Sequence, residues 1–432
     1  MSTPMPSGPR PGPPQRTPSL PWRMTSAMVM GTAGVVSKCF LYGFNRVEVT
    51  GLGRFLDVLD ARRDPEKRQR GLITVSNHIS VVDDPLVWGV LPLRYAYNPS
   101  NLRWSLGAHD ICFSNKFFSS FFTYGQVLPT HRLKHSEHGG LFQPSIAQAI
   151  RVLSTPQPFY SPSYPSSLSS SSATPSGRSP DSPFGSPTPL TQRITTPATA
   201  TLTSDPFAEG SLVYSTTGTD VIPSPAAYPG VNKYGWVHIF PEGMVHQNKA
   251  VDLRYFKWGV ARLILESDPP PDVLPMFIDG TQHIMPEDRT FPRFLPRVGK
   301  KIRVAFGEVL DYEETFGDLR RRWRELVRKS QQPQQVQRQE SAEKTNGDEE
   351  VSRRGGDILS DELKYSREAQ EIRIEVARRV REEVLKVRRS FGNHYPDSHP
   401  PFGRAETWKL DDDVEKKKKY KSRVDGSQIN QD

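Results

Sequence analysis

Beyond Arg70, short apolar runs alternate with segments whose apolar residues recur every three or four positions. That alternation predicts an α/β fold: a mainly parallel sheet flanked by helices. The spacing predicts strands over 72–75, 236–240, 273–278 and 302–306. Helices are predicted from about Pro85, over 144–153 and, as a clean amphipathic pattern, over 256–267. Between them lies a Phe-rich stretch, 111–124, in which Phe113, Phe117, Phe118, Phe121 and Phe122 recur at three- and four-residue steps, so one helical face is aromatic.

The pattern fails in places, and the failures divide the chain. Residues 1–23 read as a disordered Pro/Ser leader. An apolar stretch over 24–44, rich in small residues and broken by Lys38, opens the first part of the domain, 24–153, as a helix suited either to a bilayer interface or to an ordinary core. Residues 154–230 contain "SPSYPSSLSSSSATPSGRSP", too poor in apolar side chains to offset the entropy of ordering, and read as a disordered insertion. The second part of the domain runs over 231–328, followed by a polar linker over 329–357. Ile372, Val376, Val380, Val384 and Val387 then mark an amphipathic helix within 358–390, to pack on the domain or on a partner, and 391–432 is a basic tail containing "EKKKKYK".

Composition agrees with one core and much linker. Of 432 residues, 40 are proline and only 35% are apolar, which is lean for a chain packed throughout. A net charge of +9 favours anionic surfaces, either phospholipid headgroups or nucleic acid. Nucleic acid is disfavoured because the lysines cluster in a tail without interleaved aromatics or a recognisable motif. The two cysteines, Cys39 and Cys112, lack CxxC spacing and imply neither a zinc site nor a disulfide. The first 47 residues hold basic but no acidic side chains, a faint import signal that the prolines up to Pro21 weaken. No run of about 20 uninterrupted apolar residues occurs, so a conventional spanning helix is not expected and a monotopic association stays open.

Three short blocks carry candidate chemistry. In "NHISVVDDP" a predicted strand ends before the motif and Pro85 suits a helix start, with Asp84 as its expected cap. His78 and Asp83 then share a turn on which the carboxylate can fold back to the imidazole, fix its tautomer and leave the other ring nitrogen to take a proton from a hydroxyl. The plain alternative is a capped helix and a satisfied turn histidine. In "HIFPEGMVHQ" another strand enters a turn, where Gly243 permits close backbone approach and Glu242 sits at a strand's carboxyl end. In "GQVLPTHR", Arg132 offers a fork for a phosphate. Turn chemistry and a solvated surface arginine are the respective alternatives. His131, His135 and His138 have no metal-ligand spacing, and no metal is expected.

The order of these blocks carries more than any one of them. "NHISVVDDP", "GQVLPTHR", "FPEG" and the apolar strand "VLPMF" resemble, in sequence order, the motif blocks of the glycerolipid acyltransferases, the first being the N-H-x-x-x-x-D block. The resemblance covers about 22–309 apart from the insertion, which lengthens the gap between the first and third blocks beyond the family's usual separation. It implies a glycerol-3-phosphate acyltransferase-like fold, with His78 as base on a lysophospholipid hydroxyl and Asp83 supporting it. It also implies that Arg132, Glu242 and Gly243 position the phosphate or glycerol portion. The extended forms "SNHISVVDDPLVWG", "FKWGVARLILE" and "FIDGTQHIMPED" are similar to the branch that moves acyl chains directly from a phospholipid to a lysophospholipid and remodels cardiolipin. That branch uses neither acyl-CoA nor a cofactor and sits monotopically in mitochondrial membranes, inner (facing the intermembrane space) or outer. The alternatives are an acyl-CoA-dependent lysophospholipid or lysophosphatidate acyltransferase and a non-catalytic basic peripheral membrane protein. Oligomeric state is not legible.

Overall fold

The computed structural model describes residues 20–98, 101–132, 139–154, 234–248, 250–342 and 360–392, and two short paired strands at 420–421 and 428–429. The expected leader up to residue 19, nearly all of the expected insertion and most of the basic tail lie outside the described residues.

A seven-stranded sheet organises the domain: β1 (Arg46–Thr50), β2 (Leu72–Val75), β3 (Arg103–Ala108), β4 (Val127–Thr130), β5 (Trp236–Ile239), β6 (Asp272–Asp279) and β7 (Lys301–Phe306). Its order is β1-β7-β6-β2-β5-β3-β4. Every pairing is parallel except β6 with β7. The four predicted strands all occur; β2, β5 and β6 are buried on both faces, as a sheet covered by helices requires, while β7 leaves Lys301 exposed and Arg303 half-buried. The three strands the pattern missed are β1, β3 and β4. β1 is an edge strand that alternates polar and apolar residues, and β4 is the other edge, where Pro129 is tolerated because no further strand needs its missing N–H.

Helices follow the apolar spacing with three corrections. α1 (Leu20–Phe44) starts four residues before the expected boundary, because Pro21 falls in the first turn, where no backbone N–H is required. α8 (Gly259–Glu266) buries its polar side along with its apolar one: seven of its eight residues, Val260 to Glu266, are buried. It is enclosed by α7 (Pro144–Leu153), α9 (Tyr312–Ala342) and α11 (Arg367–Arg389), and its two charged residues neutralise each other as a buried pair, Arg262 Nη2 to Glu266 Oε2 at 2.6 Å. α9 continues to Ala342, well into the expected linker, because the Arg, Lys, Glu and Gln that make this stretch polar are also good helix formers.

The C-terminal pattern forms α10 (Asp361–Tyr365) and α11, capped by the hydroxyls of Ser360 and Ser366. All five of the periodic residues Ile372, Val376, Val380, Val384 and Val387 are buried, so the helix packs on its own domain, against β6, α8 and α9. α1 docks through the row Ser26, Met30, Gly31, Ser37 and Leu41 onto α3 (Asp83–Val87), α4 (Leu93–Ala96) and α6 (Lys116–Tyr124). The fit depends on glycine. A Cβ on Gly89 would lie 2.8 Å from the Lys38 nitrogen and the Ser37 carbonyl carbon of α1. Away from that row Met24, Met28 and Val36 are exposed. By length and composition α1 is also apolar enough to cross a bilayer.

Candidate active site

The three strands at the centre of the sheet explain why distant blocks of sequence meet. β2 pairs in parallel with β5 on one side and β6 on the other, Leu72 lying opposite both Trp236 and Asp272. Their carboxyl ends therefore open on one edge, where open α/β sheets present their ligand sites. His78 follows β2, the Pro241-Glu242-Gly243 turn follows β5, and Thr281 follows β6.

His78 and Asp83 are joined directly, Nδ1 to Oδ2 at 2.9 Å. The same carboxylate oxygen accepts the backbone N–H groups of Ile79 at 2.7 Å and Ser80 at 2.8 Å, while Oδ1 accepts the Thr281 hydroxyl at 2.5 Å. With four donors converging on a fully buried side chain, Asp83 has one orientation. A carboxylate only accepts, so Nδ1 carries the proton and Nε2 keeps its lone pair. The His78 side chain is 21% exposed and stacks on Phe240 at a centroid distance of 4.3 Å.

The expected capping role of Asp84 is not what the structure shows. α3 begins at Asp83 with no side-chain cap, and Asp84 instead binds Arg103 (Nη2 to Oδ2, 2.6 Å) and the Trp88 indole N–H at 3.1 Å. Burial pushes the Asp84 carboxyl up, but the Arg103 guanidinium outweighs it and leaves the group below its ordinary value.

Glu242 is buried, and both of its oxygens are occupied from within. Oε1 accepts the His78 backbone N–H at 2.8 Å and Oε2 accepts the Arg254 N–H at 2.9 Å. It holds the histidine's peptide N–H, and the arginine's N–H beyond it, in place. Burial pushes its carboxyl up to about 7 against those two donors. The His78 carbonyl is fixed as well, by the His246 N–H at 2.8 Å, and the Gln247 side chain donates to the carbonyls of Ile79 and Met285. Gly243 adopts φ +69°, and a Cβ there would meet the Lys257 side chain at 2.9 Å.

Arg132 stands apart. It lies two residues beyond β4, which is three strands from β2 and so about 14 Å across the sheet by ordinary strand spacing. Its guanidinium forks onto Asp110, with Nε to Oδ1 at 3.1 Å and Nη2 on Oδ2. The structure thus joins His78, Asp83 and Glu242 in one hydrogen-bonded unit, sets Gly243 beside it and leaves Arg132 outside it.

Sequence reasoning missed Thr281, Asn77 and His238. The Asn77 amide pairs with both the N–H and the carbonyl of Ile278, each at 2.8 Å, stitching the motif to β6. His238 lies within the sheet with Nδ1 on the Thr74 hydroxyl at 2.8 Å, and burial pushes it down to about 3, so it is a neutral imidazole beneath the site. Thr281 had a signal in its place immediately after the strand "VLPMFIDG", and Asn77 in its place at the head of the N-H-x-x-x-x-D block.

No protein-family model matches the chain. It is 33% identical over 404 residues to tafazzin of Saccharomyces cerevisiae, covering 92% of this chain and 85% of that one. Tafazzin of Drosophila melanogaster is 29% identical over 71% of this chain and 57% of its own length. The N-acylphosphatidylethanolamine synthase of Arabidopsis thaliana is 28% identical over 56% of each.

Proposed function

Since the chain belongs to the tafazzin family of acyltransferases, we propose that it is a phospholipid–lysophospholipid transacylase that remodels cardiolipin acyl chains without acyl-CoA. The observation that carries this reading is the His78–Asp83 pair at the ligand edge of the sheet, with Nδ1 engaged by the carboxylate so that Nε2 is the ring nitrogen left to meet a hydroxyl. In the proposed reaction Nε2 takes the proton of the lysophospholipid hydroxyl as its oxygen attacks the donor's ester carbonyl. The tetrahedral intermediate collapses, the carbon–oxygen bond to the donor glycerol breaks, and the imidazolium returns the proton to the departing lysolipid oxygen. Asp83 stabilises the transient imidazolium. Glu242 and Gly243 act as positioning residues for His78 and its turn, and an anionic headgroup competes with Asp110 for the fork of Arg132.

Such lipids stay in the bilayer, so the site must work at its surface. The exposed Met24, Met28 and Val36 of α1 and the exposed Phe117, Phe118 and Phe121 of α6 form the proposed monotopic face. The two helices touch, the Ser26 hydroxyl donating to the Tyr124 carbonyl at 2.7 Å. The family points to a mitochondrial membrane as its place of work.

The test is acyl transfer from labelled phosphatidylcholine to lysocardiolipin by the purified chain, with and without acyl-CoA, for wild type and His78→Ala. Transfer without acyl-CoA that His78→Ala abolishes is the expected result. Strict dependence on acyl-CoA, or full activity of His78→Ala, overturns it.

A further inference from the structure

The segment between β6 and β7 begins at the active site and ends beside α1. Thr281 at its start binds Asp83, and Gln247 accepts the Glu287 N–H at 2.9 Å. At its other end the Gly299 N–H donates to the Phe44 carbonyl, the last residue of α1, at 2.8 Å. Between these anchors Asp288 is followed by "RTFPRFLPRV", 289–298, which holds Arg289, Arg293 and Arg297 and no acidic residue.

Its large apolar side chains point away from the protein. Phe291 is 88% exposed and Phe294 75%, and Leu295 and Val298 are also exposed. They are held outward by a loop that is folded on its own carbonyls. Arg289 donates to the carbonyls of Arg293 (2.5 Å) and Pro286 (2.7 Å), Arg293 to Glu287, and Arg297 to Thr290 at 2.9 Å, while the Arg297 N–H returns to Ile284. Two nearly bare phenylalanines on an internally bonded loop are an uncompensated cost in water, and such patches mark surfaces meant to be covered. Arg289 is buried among these bonds, while the half-buried Arg293 and Arg297 add positive charge to the loop that carries the phenylalanines. Apolar tips among cations fit one occupant, the headgroup and upper acyl region of an anionic bilayer.

We infer that 289–298 is a second bilayer-docking element, at the opposite end of α1 from α6, which seats the site's other flank on anionic phospholipid. The inference rests on the reading of His78 as acting on bilayer lipids, and it extends the contact beyond the α1 and α6 face.

The experiment uses the full chain and vesicles of phosphatidylcholine alone or mixed with phosphatidylglycerol, read by co-sedimentation. Wild type partitions more strongly onto the mixed vesicles. The double variant Phe291→Ser, Phe294→Ser loses at least about tenfold in partition, about 1.4 kcal/mol, keeps its melting temperature, and keeps turnover on a dispersed short-chain phospholipid and lysophospholipid pair. Unchanged partition overturns the inference, as does a dimer that dissociates in the double variant with no change on vesicles, which assigns the patch to a second copy. A Phe117→Ser, Phe121→Ser variant run alongside separates the two surfaces. If it alone loses vesicle binding, the α6 face stands and this inference falls. Turnover by His78→Ala on the dispersed pair tests the reaction independently of either surface.

Discussion

Replacing Asp83 by asparagine removes the charge beside His78 while changing little else. The asparagine oxygen can take the place of Oδ2 and keep the donors from His78, Ile79 and Ser80, while its amide faces the Thr281 hydroxyl, which can rotate to accept. What is lost is attraction between the carboxylate and the imidazolium formed during transfer. Two unit charges about 4 Å apart at an effective dielectric constant of about 20 attract by about 4 kcal/mol. That corresponds to a fall in turnover of about three powers of ten. Initial rates of acyl transfer measure it, and thermal melting of the same preparations checks the fold, which Asp83→Asn should leave close to wild type. Asp83→Ala should differ, because it strips the acceptor from two backbone N–H groups, at about 1 to 3 kcal/mol for each one buried. A folded Asp83→Asn enzyme losing less than about tenfold in rate refutes the general-base reasoning.

Glu242 makes a pH prediction. Its carboxyl is raised, chiefly by burial, from 4.5 to about 7. The folded chain therefore holds this proton more tightly than the unfolded one, so the contribution to stability is complete below the unfolded value and is lost as pH rises through about 7. Melting temperatures taken across that window should decline in wild type and decline less in Glu242→Gln. Arg381, on α11, donates to the carbonyls of Arg254 (2.9 Å) and Leu253 (2.7 Å), and the Arg254 N–H in turn holds Glu242 under His78. Arg381→Met should cost about 1 to 3 kcal/mol for each orphaned carbonyl, read by denaturant unfolding, and should lower kcat more than it raises KM. Gly89→Ala drives a methyl group against the α1 backbone. Overpacking of this kind costs about 1 to 3 kcal/mol, and limited proteolysis within α1 should accelerate.

The sequence by itself determined the α/β class, four contiguous strands of the sheet, β7-β6-β2-β5, and the motif pair His78–Asp83. These are local properties: apolar runs set the strands, and five residues on a turn between a strand and a helix let an imidazole and a carboxylate meet without help from elsewhere. Spacing also marked the buried face of α11, since a helix repeats its face every three to four residues wherever it packs. Only the tertiary structure decided which partners came from afar. Thr281 and Glu242 reach His78 and Asp83 because β2, β5 and β6 lie parallel and side by side, an order that no local pattern encodes. The same holds for Asp84, legible as a helix cap until Arg103 and Trp88 took its oxygens, and for α8, an amphipathic pattern whose charged pair three neighbouring helices bury. Periodicity reports what a segment prefers for itself; burial and hydrogen-bond partners are set by what the rest of the chain brings alongside it.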